Sequence, residues 1–299
     1  MRASRVGFFI LSFVAMGGKR NVYEIPANMM RLIRQYKPVE TEGLTLWPVK
    51  VKERDGFTYA RPSIEFVQQT LPVKYMSLPL LTAYYQMDLQ NALMGEAPTG
   101  LFTRALLFLA LSLKVGEGLE ADERVRLMSP IVSSEDPFNL KAIRFTAGEE
   151  EQKEITPIQF QRLRPILAEQ NGIRLYSENA NPELIEAEND LAAANNADID
   201  VNFEDMISTV ATLTGESEEG IDEWPILKLD RRRDAINRVL YFLITGIGTA
   251  SGAKYEGGNP YPSPFFNRKR TDSSAVMSIE KFAGGKGLEA VTNSGKLNL

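Results

Sequence analysis

No cysteine and no histidine occur among the 299 residues. The first absence excludes disulfides, zinc–thiolate sites, iron–sulfur clusters and cysteine nucleophiles. The second removes the commonest general base and the Ser-His-Asp triad. Together they remove nearly every transition-metal site, because only oxygen ligands remain. What survives is carboxylate or lysine chemistry, or hard cations such as magnesium and calcium.

A third absence is local. From Ser177 to Trp224 there are 14 Asp and Glu and no Lys or Arg, whereas Met1 to Tyr75 carries 12 Lys and Arg against 6 Asp and Glu. The net charge of −5 conceals this asymmetry. The acidic stretch reads as solvated helix faces and loops, or as a surface complementary to a basic partner or to the basic N-terminal third of the same chain. Nucleic-acid binding requires basic surface that displaces counterions, so no nucleic-acid partner is expected of so acidic a chain.

Long apolar runs are scarce too. The run VGFFILSFVAM, Val6 to Met16, follows Arg2 and Arg5 in the order of a signal peptide. It is too short to span a bilayer, and no small-x-small cleavage site stands out. It reads as an upstream extension or a locally buried strand or helix, with a start at Met16 and a signal or membrane anchor as the alternatives. No membrane partner is expected.

What is present fits a soluble, intracellular globular protein: 43% of residues are hydrophobic and 24% charged, enough for one large domain or two smaller ones. The patterns predict a mainly α fold of the α+β kind, a helical core with small β-hairpin elements in the N-terminal half and around residues 140–156. LTLWPVKVK (Leu44 to Lys52) alternates and is rich in β formers, and FTYA after Asp55-Gly56 is β-like again. That predicts a hairpin turning at Asp55-Gly56, with Pro48 favouring an edge strand. A helix is expected over Ser63 to Thr70. Another should begin at Ser77 as N-cap, with Pro79 in its first turn, and close at Gly95. Leu101 to Val115 is apolar on almost every face, as in a fully buried core helix. LKAIRF (Leu140 to Phe145), a turn over Gly148 to Glu151 and KEIT suggest the second hairpin.

Thr156-Pro157 is an N-cap and N1 pair opening a helix that Asn171-Gly172 should stop, with Pro165 predicting a kink or break. Asn181-Pro182 should start a further helix, Asn202 should cap FEDMISTVATLT up to Gly215, and Ile226 to about Ala250 forms an amphipathic helix loosened by Gly246, Gly248 and Gly252. Arg268 to Leu299 is polar and reads as a flexible basic tail. Four regions follow: 1–60, an N-terminal extension and hairpin region; 61–175, a helical core with the second hairpin; 176–267, an acidic helical domain ending in a Pro-rich arm; and 268–299, the tail.

The acidic clusters Glu149-Glu150-Glu151, Asp198/Asp200/Glu204/Asp205 and Glu216 to Glu223 lack the twelve-residue calcium-loop pattern and read as surface charge. No glycine stretch has P-loop or dinucleotide spacing, so no cofactor is expected and no catalytic residue is assigned. Arg231-Arg232-Arg233 reads as a solvated helix face or, alternatively, a site for an anionic partner. GGNPYPSPFF (Gly257 to Phe266) is more informative. Pro260, Pro262 and Pro264 at alternate positions favour an extended arm from which Tyr261, Phe265 and Phe266 project. Such an arm is suited to binding a partner, or else packs back as an irregular connector. Its residues, with Glu183, Glu186 and Asp190 from the acidic stretch, are the candidate partner-binding set.

The segments PIQFQRLRPILAEQNGI (Pro157 to Ile173), ANPELIEAENDLAAAN (Ala180 to Asn195) and the run from Phe203 through Arg231-Arg232-Arg233 to GGNPYPSPFF resemble proteins encoded near the tail genes of phages and prophages of Gram-positive bacteria. These are grouped loosely with tail-assembly chaperones. The resemblance implies a non-enzymatic role in bacteriophage tail morphogenesis, by binding a tape-measure or tail-tube protein in the cytoplasm of the bacterial host. The chain's length and its β-containing N-terminal half depart from a small chaperone, so a structural component of the virion is the alternative. A homo-oligomer is compatible with either.

Overall fold

The computed structural model describes residues 25–147, 151–176, 183, 187, 190, 202–255 and 259–265. The run at residues 6–16, the turn at 148–150, most of the helix expected from Asn181 and the tail from 268 lie outside the described residues. The fold is mainly helical with two small antiparallel sheets.

Helix α1 (Ala27–Arg34) leads into strands β1 (Val39–Thr41) and β2 (Leu44–Leu46), which pair in register from Val39↔Leu46 to Thr41↔Leu44. The hairpin therefore turns at Glu42-Gly43, whose φ values are 50° and 75°. Two consecutive left-handed residues make the turn whose twist matches that of the strands. This corrects the hairpin expected at Asp55-Gly56. Lys50 does keep an extended bridge, but its partner is Pro225, far downstream: Val51 N donates to Trp224 O at 2.8 Å and Ile226 N to Val49 O at 3.0 Å.

The residues read as the second strand instead form a 3₁₀ turn (Val51–Glu53) and helix α2 (Arg54–Ala60). Phe57 and Ala60, three residues apart, bury one side of this helix, and Gly56 lies against the side chains of Leu107 and Leu111. The fully buried partner surface decides for helix over β propensity.

Helix α3 (Pro62–Glu65) is shorter than the helix expected to reach Thr70. The Arg164 side chain accounts for this by donating to the carbonyls of Ile64 and Phe66, where the chain turns extended before a 3₁₀ turn at Gln68–Thr70. A third 3₁₀ turn (Val73–Tyr75) precedes α4 (Leu80–Met94), which begins with Pro79, not Ser77, at the cap position and stops at left-handed Gly95.

Helix α5 (Leu101–Leu113) is the centre of the fold, packed by α2, α3, α4, β2 and α6 (Ala121–Arg126). Every residue from Ala105 to Ser112 is buried. Its N-cap, Gly100, has no side chain to offer, and Asp88 of α4 takes that role. The Asp88 carboxylate accepts the backbone N–H groups of Thr99 (2.7 Å), Gly100 (3.2 Å) and Phe102 (3.3 Å). An anion there also opposes the positive end of the helix dipole.

Strands β3 (Ser129–Val132), β4 (Leu140–Ala147) and β5 (Glu151–Ile155) form an antiparallel sheet in that order, with Ile143↔Ile155 in register. Ile143 and Phe145 enter the core while Arg144 and Thr146 face outward. The sequence did not announce β3, which is short, exposed and contains Pro130. Helix α7 (Pro157–Gln170) opens on the expected N-cap Thr156 and N1 Pro157, to which Gln159 adds a capping box not anticipated from the sequence, and it runs through Pro165 without the expected break. Its C-terminal side chains also hold the backbone of the N-terminal region: Asn171 Oδ1 accepts Val49 N at 2.8 Å, and Gln170 Nε2 donates to Leu46 O at 3.1 Å.

Helix α8 (Phe203–Thr214) is capped by Asn202 and ended by Gly215; α9 (Glu218–Asp222) follows, then α10 (Ile226–Ala250). One hydrophobic core joins Val39, Leu46, Phe57, Leu107, Phe160, Ile207 and Leu229. The chain divides into compact units at Asn237/Arg238, within α10.

Candidate interaction surface

The charge asymmetry of the sequence is partly resolved inside the first unit. Glu223, at the end of the acidic stretch, receives Lys50 Nζ at 2.6 Å and Lys52 Nζ at 2.8 Å. Arg54 reaches Asp222 at 3.3 Å and also pairs with Glu204. The two lysine donors pull the Glu223 carboxyl down to about 2, and the same contact raises Lys52. A more buried pair joins Arg124 with Glu53 at 2.9 Å, the Arg124 guanidinium also donating to Leu119 O at 3.0 Å. Glu204, Asp222 and Glu223 are thus engaged within the chain.

Glu183 and Asp190 are helical and exposed, and Glu186 lies outside the described residues. The Arg231-Arg232-Arg233 run is not simply solvated. The Arg233 guanidinium contacts Asp230, Asp234 and the Met206 sulfur, and that of Arg231 lies over the Tyr36 ring.

The second unit carries the Pro-rich segment. Tyr261 does not project. It stacks on Tyr241 of α10, with ring centroids 5.0 Å apart and planes inclined by 18°. Burial, and then the neighbouring Tyr261, pushes the Tyr241 hydroxyl pKa up. The segment bends instead of running straight because two side chains capture backbone N–H groups two residues on: Asn259 Oδ1 takes Tyr261 N at 2.9 Å, and Ser263 Oγ takes Phe265 N at 3.2 Å. Pro260 and Pro264 are half-buried, Pro262 is exposed, and Phe265 is 92% exposed; Phe266 lies outside the described residues.

The same unit holds a feature that the periodicity of α10 concealed. Thr245 is buried, with Tyr255 Oη 3.5 Å from its carbonyl. A Cβ on Gly248 would lie 2.5 Å from that hydroxyl oxygen, so the returning chain covers this side of the helix closely. On the opposite side Val239, Leu240, Leu243, Ile244 and Ile247 are 41–67% exposed. An uncovered apolar stripe of this kind marks an interaction surface. The sequence showed the stripe but not that its second half is exposed among the described residues.

Elsewhere, among the described residues, no three potential metal ligands converge, and no helix is long and apolar enough to cross a membrane. A shallow cleft of about 420 Å³ is lined by Glu40 to Thr45 at the β1–β2 turn, where Glu42 is already paired with Arg162 at 3.0 Å. The chain matches no protein-family model, no curated protein and no solved structure.

Proposed function

We propose that this protein acts by protein–protein contact, without catalysing a reaction, as a bacteriophage tail-morphogenesis protein of the tail-assembly-chaperone kind. The supporting observation is the arm at Asn259–Phe265: Tyr261 anchors it on Tyr241 and Phe265 stands 92% exposed beyond the anchor. Burying an aromatic side chain in a partner contributes about 1.5–3 kcal/mol. Local turns that fix the backbone beforehand reduce the entropy lost on binding. The resemblance of Pro157 to Phe266 to phage tail-region proteins directs the choice of partner to a tape-measure or tail-tube protein, met in the host cytoplasm.

The test is co-expression with the tape-measure and tail-tube proteins of the same phage, followed by affinity measurement. Phe265→Ala should weaken binding at least tenfold with the melting temperature unchanged. The charge-neutralising set Glu183→Gln, Glu186→Gln and Asp190→Asn should slow association, as added salt does. Absence of binding to either protein overturns the reading.

A second reading, a structural component of the virion, draws on the size of the first unit's core, which gathers elements from Ile33 to Leu229. Proteomics of purified particles separates the two. A chaperone is absent from finished particles and a structural component is present.

A further inference from the structure

The apolar positions of α10 keep one spacing along its whole length. Leu229 and Ile236 pack against the core of the first unit, the first fully buried and the second partly. Leu240, Leu243 and Ile247 follow at steps of four, three and four from Ile236, with Val239 and Ile244 on the flanks. Alternating steps of three and four are those of a seam in which one helix packs against another. From Arg238 onward nothing in the second unit, among the described residues, covers that seam.

We propose that this face of α10 pairs with the same face of a second copy of the chain, as a helix-to-helix homodimer contact.

Three observations select a second copy. The seam is self-complementary, because the residue types on it are apolar throughout, and a two-fold axis places the same patch on both sides of the interface. No charged residue occurs between Arg238 and Lys254, so two copies meet there without like-charge repulsion across the contact. Gly246 lies between Leu243 and Ile247 on the edge of the stripe, and a Cβ added to it would meet nothing within 4 Å. A glycine inside a helix costs about 1 kcal/mol relative to alanine. Among the described residues no neighbour requires this one, whereas close approach of another helix backbone would.

The area agrees with a reversible dimer. Five side chains, each about half exposed, offer on the order of 400 Å² per copy, roughly half the ~800 Å² per partner of a standard stable interface. The dimer should therefore be weak and concentration-dependent, and it places two Pro-rich arms in one particle, raising avidity for a repetitive partner. This inference goes beyond the proposed function and does not depend on it.

Sedimentation velocity of the full chain over a concentration series tests it. The wild type should pass from monomer to dimer. Leu243→Glu with Ile247→Glu should raise the dissociation constant at least tenfold with the circular dichroism spectrum unchanged, since both side chains are already exposed. Gly246→Leu should weaken the dimer while leaving the monomer's melting temperature equal or higher, an outcome that a purely structural glycine would not give. Because the chain has no cysteine, Leu243→Cys supplies a single thiol that should form a copy-to-copy disulfide when an oxidant such as oxidised glutathione is added, and Glu219→Cys should not.

A monomer at every concentration, or a dimer indifferent to these substitutions, overturns the proposal. So does a dimer that appears only after residues 266–299 are removed, which would assign the face to the chain's own C-terminal segment. Binding of anionic phospholipid vesicles by a monomeric wild type, lost in the double glutamate variant, would assign it to a membrane surface instead.

Discussion

The Lys50 ammonium lies 2.6 Å from a carboxylate oxygen of Glu223, joining positions 173 residues apart. Lys52 completes the clasp from the other carboxylate oxygen, so part of the acidic stretch meets part of the basic N-terminal third on the surface of the first unit. Because the Glu223 side chain is 54% exposed, solvent screens the clasp, and it is worth about 1 kcal/mol or less. Glu223→Gln should reduce the unfolding free energy by that amount at neutral pH and low salt, and the difference should vanish near 1 M salt.

The sign of the pH dependence follows from the shifts. Glu223 titrates lower in the folded protein than in the unfolded chain, so its contribution is fully present above its ordinary value of 4.5 and is lost as pH falls from there toward about 2. Lys52 is shifted upward, so its share is present below its ordinary value of 10.5 and is lost as pH rises beyond it. Denaturant titration of wild type and Glu223→Gln at pH 7, 4.5 and 2 checks the acid limb. A difference that grows toward acid would show that the clasp is not what Glu223 contributes.

Gly56 provides a direct test of the corrected secondary structure. In a hairpin turn at Asp55-Gly56 the glycine would need a left-handed backbone, and alanine would destabilise it. In helix α2 the added methyl meets Leu111 at 3.6 Å, an ordinary contact. Gly56→Ala should therefore stabilise the protein by about 0.5–1 kcal/mol, read as a raised melting temperature.

Helices α5, α7, α8 and α10 were legible because their signals are local: caps at Thr156 and Asn202, stops at Gly215 and Asn171-Gly172, and apolar positions at helical spacing. The first hairpin was not. Glu42-Gly43 is a weaker turn signal than Asp55-Gly56, and only the packing of Phe57 and Ala60 against α5 settles which pair turns. Strand β3 carries no strand pattern of its own, being short, exposed and interrupted by Pro130, and the bridge from Lys50 depends on Pro225, a partner that no local window contains. The candidate surface was half legible for the same reason. The stripe on α10 is a property of its own sequence, whereas exposure depends on what the rest of the fold leaves uncovered.

Leu107 tests the centre of that fold. It is 1% exposed on α5, with α2 against the same helix. Leu107→Asp would bury a charge in the apolar core, at a cost of several kcal/mol. Thermal unfolding should show loss of the cooperative transition or a drop of more than ten degrees or so. A wild-type melting temperature would remove α5 from the core.

Asp88 tests how α5 begins. Gly100 occupies the cap position with φ of 72° and no side chain, so the first N–H groups of the helix depend on a carboxylate borrowed from α4. Asp88→Ala removes the acceptor of three part-buried backbone donors at once, together with the partner of the Thr99 hydroxyl. Loss of one cap typically costs about 0.5–2 kcal/mol, and leaving further donors without an acceptor places Asp88→Ala at the upper end or beyond. Asp88→Asn keeps an oxygen acceptor but loses the charge facing the helix dipole, so it should cost less, about 0.3–1 kcal/mol. The order wild type, Asn, Ala in denaturant midpoint, with unchanged slope, is the expected result. Equal stability of the Asn and Ala variants would mean that the charge alone matters. An Ala variant as stable as wild type would mean that water caps α5 as well as Asp88 does.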